Sequence, residues 1–430
     1  MTNPVEQRRS VEIAIIGAGV IGLACAVRLA SQGRELLLID PREPGTACSY
    51  GNAGAIAPYG CVPVGNPGVL RDLPKLLSAA ESPLALRWSG VVSVLPWLLR
   101  FLRQSLPRPA RANAVALARL LGDAVPAWRE LAAQAQLDDL LRHEGCLYVY
   151  RNSVPKADWG DALSTELGIR QQLVSPGEVA SLEPALPPVA GGILFRDALH
   201  IRDPGALTQR LWGAAAAHGA AIVQAAVSSI SVGAAGRVEL SGPALSLEAR
   251  KVVLAAGAWS RPLARKVGDL VPLDTERGYH VEFPIEIELL RRPVCPIDLG
   301  FYLTPMRGRL RAAGTVELGG LAAPPDPGRF RLLEQGARRL LPSLGEPSSK
   351  WMGFRPSLPD SLPVIGRSRR SRDIVYAFGH GHLGMTLAAV TARHVAMLLD
   401  AGADAQGTDA EGSDAWAIAP FAAQRFGALL

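Results

Sequence analysis

The sequence predicts an α/β protein with more than one domain, and three observations carry that expectation. Residues 11–40, VEIAIIGAGVIGLACAVRLASQGRELLLID, read strand, glycine turn, helix, strand. A second buried strand, Lys251-Val-Val-Leu, also runs out into a glycine, Gly257. The chain has 430 residues, long enough for two cores.

The first of these elements explains itself residue by residue. Val11, Ile13 and Ile15 alternate within an apolar run that stops at Gly17. Gly17, Gly19 and Gly22 hold the G-x-G-x-x-G spacing. The first serves a sharp turn, the second the approach of a pyrophosphate, the third close packing of helix on strand. The helix carries Leu23, Ala26, Val27 and Ala30 at helical spacing and stops at Gly33. Its N-terminus offers N–H groups and a positive dipole end to a diphosphate. Residues 36–39 form a second buried strand, and Asp40 at its tip stands where a ribose-binding acid belongs. A Rossmann-like dinucleotide site is expected, and NAD and FAD suit these residues equally.

Residues 41–58, PREPGTACSYGNAGAIAP, are small and turn-forming, which lets a backbone come close to a flat ligand. The next fifty or so residues are broken by Pro63, Pro67, Pro74, Pro83, Pro96, Pro107 and Pro109. Between these prolines lie LALRW at 84–88 and VVSVLPWLLRFL at 91–102, edged by Arg87, Arg100 and Arg103. Trp and Leu beside Arg suit a segment lying in a membrane interface, and equally helices packed beneath a second domain. A long helix is expected from about Ala110 to Gln136, then a strand over 145–150.

Asp203-Pro204 is expected to cap a helix running to His218. Alternating segments at 221–232, 236–240 and 245–249 suggest a small antiparallel meander, ahead of the buried strand that begins at Lys251. Beyond it lie RGYH at 277–280, FYLTP at 301–305, a helix near 329–341, a strand at 374–378, and GHGHLGMT at 379–386 opening a helix to about Leu399.

Composition closes off several classes of function. The formal charge of +6 comes with no dense Lys/Arg cluster interleaved with aromatics, so a nucleic-acid partner is not expected. Cys25, Cys48, Cys61, Cys146 and Cys295 are odd in number and never fall in C-x-x-C spacing, against a disulfide framework or a zinc site. No metal is expected, and reduced thiols point to the cytoplasm. Arg8-Arg9 before an apolar run looks like a twin-arginine signal, but that run is the fingerprint strand and helix, which the fold cannot lose. No transmembrane helix is expected.

Seven motifs together resemble the D-amino acid oxidase superfamily of FAD enzymes, and within it the bacterial D-amino acid dehydrogenases. They are the glycine fingerprint, SYGNAGAIAP at 49–58, NPG to SPLALRW at 66–88, SLEPAL at 181–186, RGYH at 277–280, GFRPSLPDSLPVIGR at 353–367 and GHGHLGMT at 379–386. The resemblance implies FAD rather than NAD, in a Rossmann-like domain assembled from discontinuous segments 1–75, 198–262 and 344–430. It implies a mixed α+β substrate domain with an antiparallel sheet over 76–197 and 263–343. It places Ser49, Asn52, Ala53 and Gly54 beside the flavin ring, and Gly379, Gly381, His382, Gly384, Met385 and Thr386 at its pyrimidine edge. Val227 and Gly257 join the cofactor-binding set.

A glycine-rich helix start presents N–H donors and a positive dipole end, which suits the negative charge of a reduced flavin. His380 and His382 lie inside that turn, where surface loop histidines are the alternative. Arg355, in Gly353-Phe-Arg-Pro356, resembles the family arginine that grips the substrate carboxylate, a task suited to two parallel guanidinium donors. Tyr302 resembles the tyrosine that supports the same carboxylate, with a core strand aromatic as the alternative. Tyr279 or His280 is a further pocket candidate. Gly353 stands where relatives such as monomeric sarcosine oxidase attach flavin through cysteine, so FAD is expected to be non-covalent.

The implied reaction is oxidative deamination of a D-amino acid by hydride transfer from Cα to flavin N5, with Arg355, Tyr302 and His382 as the catalytic set. The imine hydrolyses to a 2-oxo acid and ammonia, and electrons pass to a quinone-type acceptor. A D-hydroxyproline or D-proline dehydrogenase, a glycine- or sarcosine-type oxidase, and a flavin-bearing scaffold subunit of a heteromeric dehydrogenase are the alternatives. The segment 84–103 adds an expected peripheral contact with the inner face of the cell membrane.

Overall fold

The computed structural model describes residues 9–78, 82, 84–87, 91–233, 236–400 and 418–427. Arg8 and the residues 88–90 of the apolar segment lie outside the described residues, as does 401–417 of the expected first domain.

Among the described residues two large sheets dominate. The first has the order Ala221–Gln224, Leu36–Asp40, Arg9–Ile16, Leu245–Leu254, Val238–Gly242, Ser229–Val232, with Ile374–Phe378 also paired to Leu245–Leu254 and Val364–Arg367 to Ile374–Phe378. Ala221–Gln224, Leu36–Asp40, Arg9–Ile16, Leu245–Leu254 and Ile374–Phe378 run parallel. A parallel sheet covered on both faces reads as continuous apolar sequence, and alternation divides it between two cores. Ile13, Ile15, Leu38 and Val253 face the helices Val20–Ala30 and Gly384–Asp400, while Ala14, Ile16, Leu37, Ile39, Val252 and Leu254 face the other layer.

The second sheet runs Ser349–Ser357, Asp274–Pro284, Arg309–Leu318, Phe301–Met306, Val294–Pro296, Cys146–Tyr150, Gly191–Phe195, Gln172–Val174, with Leu84–Leu86 on Arg309–Leu318. Its pairs are antiparallel apart from Val294–Pro296 with Cys146–Tyr150 and Leu84–Leu86 with Arg309–Leu318. The strand carrying Arg355 therefore belongs to this sheet, although the expected division puts 344–430 with the first domain. Conversely, the helices Pro107–Gly122 and Ala124–Ala135, expected in the second domain, bury Leu117, Leu121, Trp128 and Leu131 in the core of the fingerprint helix.

Three expected elements take a different form. The long helix breaks at Asp123, because Pro126 has no N–H to give Gly122 and its ring would clash with that carbonyl. Ala221–Gln224 leaves the meander to pair with Leu36–Asp40, where its apolar residues find a parallel neighbour. Residues 245–249 and the buried strand from Lys251 are one strand, Leu245–Leu254, antiparallel to Val238–Gly242 at one end and parallel to Arg9–Ile16. Asp203 caps Pro204–Ala217 as expected, accepting from the N–H of Ala206 at 3.0 Å.

One described helix, Gly381–Asp400 with its leading turn, is long and apolar enough to cross a membrane by length and composition. It is a core helix here, 72% of its apolar window being buried against Val20–Ala30 and Ala124–Ala135. The apolar segment at 91–104 also turns inward. Trp97 is 5% exposed, packs with Leu318, stacks on Phe101 at 5.2 Å and donates its indole N–H to the Ser357 carbonyl at 3.3 Å. Of the two readings open to this segment, lipid interface or packed helix, Trp97, Leu98 and Phe101 take the packed one. Among its described residues Leu95 and Leu99 are the large apolar side chains left in solvent, at 47% and 59%.

Candidate active site

The carboxyl ends of the parallel strands of the first sheet and one face of the second enclose a cavity of about 710 Å³. The fingerprint turn forms one end. Gly17 sits at φ 107°, and a side chain there would meet the Ala255 carbonyl at 2.4 Å. Gly22 lies behind the wall: a Cβ on it would come 1.9 Å from the Gly17 carbonyl, so it serves helix packing. Asp40 accepts from the N–H of Ala18 and of Arg42, both at 2.9 Å, which pins the strand tip to the turn. Ser49 accepts from the Val20 N–H at 2.9 Å, tying the 49–54 loop to the helix start. Buried Arg311 donates to the carbonyls of Tyr50 and Asn52 at 2.8 and 2.6 Å and holds that loop from behind.

Of the residues expected around a cofactor, Gly17, Gly19, Asp40, Ser49, Asn52, Ala53, Val227, Gly257, Gly381, His382, Gly384, Met385 and Thr386 line this one cavity, with Tyr302 and Arg355. Gly54 and Gly379 join Gly22 outside the lining. Both take left-handed φ, 77° and 84°, and shape the turns that carry their neighbours.

Arg355 reaches the cavity through a local arrangement of the second sheet. Gly278 lies beside it, and a Cβ there would stand 2.4 Å from the Arg355 Cζ. The guanidinium lies across this bare position and donates to the carbonyls of Thr315 at 2.8 Å and Gly314 at 3.4 Å. Thr315 has φ 56°, costly for a β-branched residue, at a point where the register of Asp274–Pro284 on Arg309–Leu318 shifts. Burial lowers the pKa of Arg355, while Glu276 and Cys48 oppose the shift. Glu276 and Cys48 line the same cavity, and sequence reasoning missed both.

Tyr302 lines the cavity, but its hydroxyl turns to Tyr148 at 2.6 Å and Tyr59 at 3.4 Å, within an aromatic cluster that includes Phe195. Burial, with Cys295 and Cys146 beside it, raises its pKa and keeps the phenol neutral. Of the RGYH residues, Tyr279 reaches the wall with its hydroxyl on Glu317, and His280 stands behind, Nδ1 3.2 Å from the Gly51 carbonyl. Trp351 stacks on His280 and fills the space above Gly51 and Gly353, where a Cβ on either would overlap its ring at 1.9 Å.

His382 opens into the cavity with an exposed side chain, and the protein atoms crowded around it, with the Arg355 cation, lower its pKa to about 4. Its imidazole is therefore neutral at pH 7 and adds no positive charge beside the arginine. His380 is buried rather than a surface loop residue, with Nε2 3.0 Å from Thr391 Oγ1.

A dinucleotide fits this lining on its own terms. The cavity is at the large end for small-molecule sites. Gly19 leaves the helix start bare, with only Ser49 Oγ, at 3.4 Å, near a notional Cβ. Comparisons with known proteins identify which dinucleotide. The chain is 37% identical over 398 residues to a D-amino-acid oxidase of Bradyrhizobium diazoefficiens, covering 90% of this chain and 94% of the relative. It is 33% identical over 401 residues to a D-amino acid dehydrogenase of Paramagnetospirillum magneticum, with coverages of 90% and 94%. Among solved structures, glycine oxidase from Geobacillus kaustophilus superposes with a TM-score of 0.73 at 22% identity, covering 97% of this chain and 99% of that one. The fingerprint, the cavity that it opens and the arginine strand across from it all fall within residues 12–398, which match the family model described as FAD dependent oxidoreductase (DAO), and the chain belongs to that family.

Proposed function

We propose that this FAD-dependent oxidoreductase oxidises D-amino acids at the Cα–N bond and passes the electrons to a quinone-type acceptor. The observation that carries the reading is Arg355, a cavity-facing guanidinium anchored on two carbonyls, in a chain whose relatives bear D-amino acid oxidase and dehydrogenase names. Bound FAD supplies the acceptor for the two electrons and the hydrogen that leave Cα.

The chain's own residues then have three tasks. Arg355 meets the substrate carboxylate with its fork of N–H donors and fixes the direction of Cα. Tyr302 presents a neutral phenol at the wall, held by Tyr148, and supports the carboxylate side of the pocket. Neutral His382 keeps the cationic charge concentrated on Arg355. The imine product hydrolyses in water to a 2-oxo acid and ammonia.

Anaerobic mixing of the yellow holoprotein with D- and L-amino acids tests this reading. Bleaching of the flavin band by D-amino acids, and slow reoxidation by air against fast reoxidation by a soluble quinone, are the expected results. Bleaching by L-amino acids alone would overturn the stereochemical assignment, and rapid reoxidation by air would make the enzyme an oxidase. We also propose the peripheral membrane contact of 84–103, now assigned to Leu95 and Leu99 of the helix Val91–Gln104.

A further inference from the structure

Glu276 stands in register directly opposite Arg355 on the neighbouring strand, so both side chains leave the sheet on the same face. Both line the cavity. They do not collapse onto one another among the described residues: Arg355 crosses bare Gly278 to the carbonyls of Gly314 and Thr315, and Glu276 has the Ser357 hydroxyl as its side-chain neighbour. Glu276 is only 6% exposed, and an acid in that position is costly unless something cationic meets it. The wall thus presents one cation and one anion from the same rung of the sheet.

An α-amino acid carries the complementary pattern: a carboxylate and an ammonium on one carbon. We propose that Glu276 receives the substrate's amino group, so that Arg355 and Glu276 together select α-amino acids over carboxylic acids and 2-hydroxy acids of the same shape. This rests on the amino-acid reading above and names the residue that makes it an amino-acid site. The nitrogen is read by charge: a hydroxyl in its place leaves the buried carboxylate with a neutral partner. Burial raises the Glu276 pKa, against the opposing pull of the Arg355 cation and the Ser357 hydroxyl.

Three ligands that lack a Cα–H isolate binding from turnover: 2-aminoisobutyrate, 2-hydroxyisobutyrate and pivalate, which carries a third methyl in place of the amino or hydroxyl group. Each is titrated into oxidised holoenzyme and followed by perturbation of the flavin spectrum. The wild type is expected to bind the amino compound about 10- to 100-fold more tightly than the hydroxy compound, the range for a charge-assisted hydrogen bond. Glu276→Gln is expected to bring that ratio close to one while pivalate affinity stays within a few-fold. Glu276→Asp, which keeps the charge on a shorter stem, is expected to retain part of the preference, and it carries the test if the glutamine variant does not hold flavin.

The outcomes separate the two claims. A wild type whose flavin is bleached by amino acids but which binds the hydroxy compound as tightly as the amino compound overturns the role of Glu276 alone. So does a folded Glu276→Gln that keeps the preference. A wild type bleached by no amino acid overturns the functional reading, and this proposal with it.

Discussion

Replacing Arg355 with methionine keeps length and removes charge, so flavin binding is expected to survive while kcat/KM for amino acids collapses. Losing one partner of a buried charged pair costs roughly 2–5 kcal/mol, which is about 30-fold to several-thousand-fold. Steady-state kinetics would show part of that loss in kcat, because a tilted substrate no longer presents Cα correctly. Lysine is expected to rescue only partly, since a point charge does not fix orientation. Gly278→Ala is expected to reproduce much of the defect with Arg355 intact, because the new methyl takes the space of the guanidinium, 2.4 Å away. Carboxylate-inhibitor binding that is unchanged in this variant would refute the arrangement. Arg355 was legible in the sequence because a short motif surrounds it. Glu276 was not, because its place opposite Arg355 comes from strand register, and nothing local to Thr275-Glu-Arg277 records that pairing.

The helix Val91–Gln104 shows what an apolar pattern leaves open. Its Trp, Leu and Arg content suits a lipid interface and a packed core alike, and the direction that each side chain faces decides between them. Trp97 faces inward against Leu318 and Phe101. Trp97→Ala is therefore expected to cost about 3–5 kcal/mol, read from the urea midpoint. Leu95→Ser with Leu99→Ser is expected to leave stability within about 0.5 kcal/mol. Under the proposed membrane contact, the same double substitution moves the protein from vesicle-bound to free in a flotation assay with anionic lipid. A similar limit applies to the helices Pro107–Gly122 and Ala124–Ala135: the helical pattern runs through both, and only the ring of Pro126 marks the break.

At the scale of the whole molecule, stability is expected to fall as pH falls from about 6.5. Burial, with arginines near the first two, holds His200 down to about 3 and His280 down to about 4, and burial alone holds His380 down to about 3. Each stays neutral in the folded state while the unfolded chain takes up a proton near its ordinary value of 6.5. Protons therefore favour unfolding across that window, and the loss is complete once pH is below the folded values. Glu282 extends the slope further: burial pushes its carboxyl up, but Arg311, Arg309 and Ser349 outweigh this and hold it down to about 2. Its contribution is present above its ordinary range and disappears as pH falls through about 2. Thermal unfolding midpoints at fixed flavin concentration would show this trend, and a flat profile from pH 7 to 4 would contradict it. Acid precipitation is expected to leave FAD in the supernatant, since Gly353 offers no thiol and Trp351 occupies the space where a side chain there would go. The fingerprint and its cofactor were readable because they are local. The assembly of the sheets was readable only in outline, because it joins segments far apart in the chain. That order has a consequence during synthesis. The strand Arg9–Ile16 leaves the ribosome well before its central neighbour Leu245–Leu254, and Ile374–Phe378 follows later still. Until then the nascent chain carries an apolar strand with an open edge, a natural client for chaperones and a reason for slow, late maturation of the nucleotide site.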